Sequence, residues 1–379
     1  MSFYNDFDDC LSNVIDSIKF LLFDRNNEIF ERLDFDKDDI YLEPLLFTFV
    51  NQNDNKWLDS IIYGYEKKRK QEIDVFTNST GVIYIPQVGY FKTNKFNTAM
   101  KLKTNADSIV LVLNNDIVNY EFEKLLILDS GIEILKYQHP LLENLFTNQN
   151  IKTNEYEING IYQKFIDYIN NGLEIINKSN PNHYNILKKT LKRILLFKGE
   201  QPNSFAVMTA HNMIFLNVND WDSEMFFVDH ISHEGGHITF FTLTYESKNE
   251  MFNCNFNTNF NEITGNSLEH GTIYLRFHAL FSYMQITQSL YWSILNIAAE
   301  RELIEAKGRF IFHMKNFNRA LSTFRNSTYY KPIGLYWYNI FIEHYNKLEK
   351  TYLNIKNEYL IDEQPYDFNW EIFKKQNHL

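Results

Sequence analysis

Cys10 and Cys254 are the only cysteines in 379 residues, too few for a disulfide framework. The start, "MSFYNDFDDCLSN", has no basic region followed by an apolar run, so no secretory signal is expected. No stretch of 18 apolar residues occurs, which argues against a membrane span. The expected location is cytoplasmic and reducing. Basic runs are also scarce. Lys and Arg number 37 against 48 Asp and Glu, a net charge of -11, and the one basic cluster, "EKKRKQE" (66–72), is flanked by acids. Nucleic-acid binding is therefore disfavoured, because phosphate contacts need a basic face. An acidic enzyme more easily accepts a neutral or basic partner such as a peptide. There is no long Gly/Ser/Pro linker and no repeat of 20 to 50 residues.

The composition, 44% hydrophobic and 22% charged, is that of a globular chain. The first 75 residues read as helical, with "NDFDDCLSNVIDSIKFLLFDRNNEIFERL" and "KWLDSIIYGYEKKRKQEI" at three-and-four spacing. "GVIYIPQVGYFKT" and "DSIVLVLNND" are β-branched and bounded by turn residues, which predicts strands. "YEFEKLLILDSGIEILKY" fits either type. Helices are expected in "NEYEINGIYQKFIDYINNGLEIINKS" and between Pro181 and Pro202. "SFAVMTAHNMIFLNVND" reads as strand. "DWDSEMFFVDHISHEGGHITFFTLTYES" reads as a long helix capped by Asp222 or Ser223. The Asn-rich segment after it reads as a loop, and "TIYLRFHALFSYM…" through "RALSTF" as one or two helices. The expected fold is α+β, predominantly helical with a small β-sheet region and a metal site between two core helices. Its parts are a mixed N-terminal region (1–200) and a helical metal-binding region (201–379), or one composite unit.

The chemistry concentrates in His233-Glu234-Gly235-Gly236-His237, an H-E-x-x-H array. Positions i and i+4 share a helix face, so His233 and His237 converge on one ion while Glu234 stands beside it. Burying two imidazoles and a carboxylate without partners is costly, which favours a metal over chance. The two glycines leave room near the ion but weaken the helix. His230 reads as a supporting or packing residue, and Asp229 as pointing elsewhere.

The third ligand decides the class. A metzincin needs Gly at 240 and His at 243, where this chain has Phe240 and Leu243. A thermolysin-like zinc site needs a downstream Glu; Glu262, Glu269, Glu300 and Glu302 follow, none in the usual arrangement. His278, on a core-facing stripe with Tyr274, Leu275 and Phe281, is the better candidate. His313, between Phe310 and Phe317, is the reserve.

Over residues 204 to 325, "SFAVMTAHNMIFLNVNDWDSEMFFVDHISHEGGH", "TIYLRFHALFSYM" and "EAKGRFIFHMKNF" together resemble the HExxH-type 2-oxoglutarate-dependent peptide β-hydroxylases of ribosomal natural-product biosynthesis. That resemblance implies Fe(II) held by His233, His237 and His278, and O₂ and 2-oxoglutarate used to hydroxylate a side-chain carbon of a precursor peptide. Many relatives carry an Arg seven or eight residues before the third histidine, where this chain has His270 and Gly271. Arg309, then Arg276, are the substitutes for gripping the co-substrate carboxylate. Family context also places peptide recognition in the first 200 residues, with a leader pairing on a strand edge. Two alternatives stay open. One is a zinc metallopeptidase with Glu234 as general base; the other is a peptide-binding maturation partner with a decayed site.

Overall fold

The computed structural model describes residues 4–52, 54–105, 108–147, 156–267 and 270–379. The chain is mixed α+β and more than half helical. It divides into two compact units: Met1–Asn13, Phe165–Lys189 and Asn219–Leu379 form one, and Val14–Lys164 with Thr190–Val218 form the other. Both take in residues from either side of position 200. Among the described residues no helix is long and apolar enough to cross a membrane.

The second unit holds the sheets. Glu72–Phe76 alternates outward Glu72 and Asp74 with buried Ile73 and Val75, the pattern of a half-buried strand. It pairs antiparallel with Ala99–Asn105, followed by Ser108–Leu113 and Asp116–Val118. The last hairpin turns on Asn114 and Asn115, both at positive φ, as a tight two-residue turn requires. "GVIYIPQVGYF" forms the hairpin Val82–Ile85 and Gly89–Lys92, to which Glu121–Glu123 adds a third strand.

Two helical expectations fail in this unit. Only Leu58–Ile62 of "KWLDSIIYGYEKKRKQEI" is α-helical. At Gly64 the chain passes so close to the Pro86 carbonyl that a Cβ would overlap it. Between Pro181 and Pro202 the helix stops at Thr190, and Arg193–Gly199 is a strand. It runs parallel to Met213–Asn217 and to Glu133–Ile134. A short apolar run fits either state by periodicity, and here strand neighbours on both sides decide. Arg193, buried in that strand, donates from Nη2 to Glu43 at 2.7 Å and from Nε to Glu133 at 3.0 Å.

Helices of eight residues or more are numbered along the chain: α1 Phe7–Arg25, α2 Tyr162–Ser179, α3 Pro181–Thr190, α4 Glu224–Thr244, α5 Ile273–Asn296, α6 Glu300–Thr323, α7 Pro332–Ile355 and α8 Trp370–Asn377. In the helical unit α4 is buried at 18 of its 21 residues, so it is a central helix without a wet face. Ser223 caps it, its oxygen accepting from Met225 N–H at 3.1 Å. Toward its other end Thr239, Thr242 and Thr244 donate to the carbonyls four residues back, satisfying hydroxyls that water cannot reach.

Three glycines set how closely helices approach. A Cβ on Gly172 of α2 would come within 2.9 Å of Phe227 Cβ on α4. A Cβ on Gly235 would overlap Leu187 of α3, and one on Gly236 would lie 3.1 Å from Ser282 Cα of α5. The space beside the two motif glycines is therefore taken by neighbouring helices and is not open to a ligand. At the C-terminus Ile361, Phe368, Trp370 and Phe373 pack on Ile311 and Phe312 of α6, which lays the segment 361–373 along that helix.

Candidate metal centre

The motif histidines sit mid-way along α4, where the i, i+4 spacing brings their ring centroids 5.0 Å apart with the planes tilted by 46°. His278 comes from α5, which packs against α4. Tyr274 stacks on it at 5.5 Å and Phe240 lies at 5.2 Å. Leu275, read above as part of the same stripe, is instead 56% exposed.

The ring nitrogens are ordered by a chain of hydrogen bonds. The carbonyl oxygen of His237 can only accept, so His278 Nε2–H donates to it at 2.9 Å. A neutral His278 then carries its lone pair on Nδ1. That atom faces His237 Nδ1 at 3.2 Å, which makes His237 Nδ1 the donor and leaves the His237 lone pair on Nε2. Ser282 donates to the His233 carbonyl at 3.0 Å and presents its oxygen to His237 Nδ1 at 3.4 Å. Burial pushes His233 and His278 down to about 4, and lowers His237 further with help from its imidazole neighbours. All three rings are thus neutral at pH 7, the state a metal needs.

These donors fit a divalent ion in chemistry and in part in geometry. A metal on these two nitrogens would have to replace the proton they share; adjacent nitrogens on an ion with bonds of about 2.0–2.1 Å lie about 3.0–3.4 Å apart, which brackets their separation of 3.2 Å. A ligand imidazole whose other nitrogen bonds a backbone carbonyl, as His278 does, is the usual supporting arrangement. Among the described residues no three His, Cys, Asp or Glu side chains form a complete metal group. The arrangement is a pair with His233 one turn away.

Asp229 stands at i−4 from His233 and does not point away from the site. Its Oδ2 accepts from His313 Nε2 at 2.8 Å and from Arg309 Nη1 at 2.9 Å. Arg309 also donates from Nε and Nη2 to Glu305 Oε1, at 2.9 and 2.8 Å, and Glu305 in turn accepts from Ser223 at 2.8 Å. Burial alone would lower the Arg309 pKa, but Glu305 and Asp229 outweigh it and keep the guanidinium charged. Despite burial, His313 and Arg309 hold the Asp229 carboxyl well below the usual range. Arg309 is fully buried, with Phe368 across its face at 4.7 Å. A co-substrate carboxylate would have to displace two buried carboxylates to reach it. Arg276, two residues before His278, lines a cavity of about 310 Å³ instead.

The remaining candidates are dispersed. Among the described residues His313 Nδ1 has no partner; its ring lies 6.1 Å from Tyr283. His230 is buried and stacked on Phe226 at 4.1 Å, a packing role. Glu262 and Glu300 are exposed, Glu302 is half-buried, and Glu269 lies outside the described residues. Glu234 is buried.

No family model matches the chain. No curated protein matches its sequence either.

Sequence reading passed over Ser282, Glu305, Tyr283 and Asp367. Ser282 lies four residues after His278, a spacing that marks a shared helix face. Asp367 is brought near by the C-terminal segment, and burial together with Asp229 pushes its carboxyl up to about 6. No local pattern announces it.

Proposed function

We propose that the chain is a non-haem Fe(II), 2-oxoglutarate-dependent dioxygenase that hydroxylates a side-chain carbon of a ribosomally made precursor peptide. The observation that carries this reading is the pairing of His278 with His237 across α5 and α4, Nδ1 to Nδ1 at 3.2 Å. It adds a third imidazole to the two of the motif where a thermolysin-like hydrolytic site uses a carboxylate. His233, His237 and His278 would hold the iron. When bound, iron with 2-oxoglutarate and O₂ supplies an oxidant strong enough to take hydrogen from a C–H bond. His278 keeps its lone pair directed at the pair through its bond to the His237 carbonyl. Ser282 fixes the His237 ring from the opposite helix. Arg276, which lines the cavity, rather than the enclosed Arg309, would be the residue to meet a co-substrate carboxylate. Glu234 is left to orient a ligand or a water.

The test is an anaerobic titration of metal-free protein with Fe(II) and then 2-oxoglutarate, followed in the visible spectrum. A weak charge-transfer band that needs both components, and is lost in His278→Ala, is the expected result. Absence of the band together with tight Zn(II) binding and peptide cleavage abolished by Glu234→Gln would replace this reading with a zinc peptidase. Absence of binding by either metal would leave a peptide-binding partner with a decayed site.

A further inference from the structure

Apolar side chains exposed one at a time are ordinary on a protein surface, but a contiguous row of them marks a contact surface. In the sheet-bearing unit Phe20 is 68% exposed, and Phe23 and Phe35 are each 47% exposed. Phe20 and Phe23, three positions apart on α1, are neighbours on one helix face. Phe23 stacks on Phe30 with centroids 6.1 Å apart, and Phe30 meets Phe35 edge-on at 5.0 Å. The four rings form one strip that runs from α1, through the helical turn Ile29–Arg32, onto the loop behind it. Buried Lys19 holds the far end, its Nζ 4.3 Å from the Phe35 ring centroid while it donates to Asp38 at 2.9 Å. Exposed carboxylates accompany the strip: Asp24 follows Phe23 and is one turn from Phe20, Glu28 and Glu31 flank Phe30, and Asp34 and Asp36 flank Phe35. Among the described residues none of these five has an ion-pair partner. The arginines of the same stretch are engaged elsewhere. Arg25 donates to the Val50 carbonyl at 2.9 Å, and Arg32 pairs with Asp59 and Glu66. Lys37 is the one exposed base between residues 20 and 37.

We propose that this strip is the docking site for a cationic amphipathic helix of a partner protein. Its apolar residues seat on Phe20, Phe23 and Phe35, and its Lys or Arg side chains meet the carboxylates beside them. Charge selects this occupant over the others an apolar strip could take. A second copy of the chain docked through the same face would set five carboxylates against five, because a two-fold contact repeats the patch on both sides. A membrane carrying anionic lipids would be repelled in the same way. A basic helix satisfies both features at once: the rings supply apolar area, and the carboxylates steer the encounter and reject acidic competitors. Anchors at i, i+3 and i+7 give such a helix one apolar face to lay on the row of rings. The net charge of -11 favours a basic partner in general; the fold gathers part of that charge around aromatic side chains and so names a place for it. The strip belongs to the other compact unit from the motif histidines, and the proposal does not rest on the metal centre.

The experiment is fluorescence anisotropy of the full-length protein with the fluorescein-labelled amphipathic peptide LKKLLKLLKKLLKL, a scramble of the same composition without helical periodicity, and the counterpart with Glu for every Lys. The amphipathic Lys peptide is expected to bind at least tenfold tighter than the scramble, and the Glu peptide not at all. Phe20→Ser combined with Phe23→Ser should weaken binding tenfold or more. Phe35→Ser serves as an independent variant if the pair disturbs folding, which circular dichroism would reveal. Asp34→Asn combined with Asp36→Asn should weaken binding and flatten its dependence on salt. No binding of the Lys peptide, equal binding of the scramble, or indifference to the Phe substitutions overturns the proposal. Two further outcomes overturn it by naming another occupant. A dimer in sedimentation that the Phe20→Ser, Phe23→Ser protein no longer forms would make the occupant a second copy of the chain. Binding to phosphatidylcholine vesicles that the same variant loses would make it a lipid surface.

Discussion

His278 Nδ1 lies 3.2 Å from His237 Nδ1, and its other ring nitrogen is turned onto the His237 carbonyl at 2.9 Å. One residue of α5 thus contacts both the side chain and the backbone of the motif's second histidine. If that geometry serves a metal, His278→Ala should abolish ligand-induced stabilisation. Wild-type protein at a hundredfold excess of metal over its dissociation constant should gain about 2.7 kcal/mol. Calorimetry with Fe(II) under argon, or with Zn(II), reads the difference. An unchanged gain in the variant would remove His278 from the donor set and turn attention to His313.

The two candidate arginines should separate cleanly. Arg309→Leu leaves Asp229 and Glu305 buried without their cation and is expected to cost about 3–5 kcal/mol of stability, visible in urea unfolding. Arg276→Gln removes a half-buried side chain from a cavity wall and should cost less stability than Arg309→Leu, which strands two buried carboxylates. It should nevertheless raise the 2-oxoglutarate concentration needed for half-maximal charge-transfer absorbance by tenfold or more, the loss of one charge-assisted contact. Normal co-substrate response in Arg276→Gln would contradict the assignment.

Gly236→Ala sets two effects against each other. Alanine gains about 1 kcal/mol of helix propensity. The added Cβ, however, falls 3.1 Å from Ser282 Cα, a backbone atom of a packed helix, and overpacking of this kind costs about 1–3 kcal/mol. A net loss of about 1 kcal/mol is expected, together with weaker metal binding, because α5 must move and carries Ser282 and His278 with it. A stabilised variant with unchanged metal affinity would show that α4 and α5 have slack at this point.

Acid should unfold the protein early. Burial pushes His139, His183 and His344 down to about 3, and among the described residues both ring nitrogens of His183 lack a partner. Their folded pKa lies below the unfolded value of about 6.5, so the unfolded state binds more protons once the pH drops under 6.5. Stability is complete above that value and is lost as pH falls toward the folded pKa. At pH 5 each such histidine costs about 2 kcal/mol, and three approach the total stability of an ordinary domain. Asp367, raised to about 6, and Glu133 and Glu143, also raised by burial, work in the opposite direction, while His233, His237 and His278, lowered by burial, add to the loss. Urea midpoints measured from pH 7.5 to 4.5 should fall steeply below 6.5, less steeply in His183→Leu. A flat profile would mean that these histidines find protonated states inside the fold.

Features set by nearest neighbours along the chain were legible in the sequence. The H-E-x-x-H spacing places His233 and His237 on one face of α4 wherever that helix goes, and Ser223 caps it through a bond two residues long. The alternation of Ile73 and Val75 with Glu72 and Asp74 marks a strand in the same way. What joins residues far apart was decided by packing. Whether Arg193–Gly199 is helix or strand depends on the strands that flank it. The meeting of His278 with His237 across 41 positions depends on Gly236 letting α5 approach. Arg309 is an accessible cation by sequence alone; the fold surrounds it with Asp229, 80 positions away, and with the C-terminal Phe368. Local spacing follows from the covalent geometry of a helix or strand. The company a side chain keeps follows from which surfaces the whole chain can bury together.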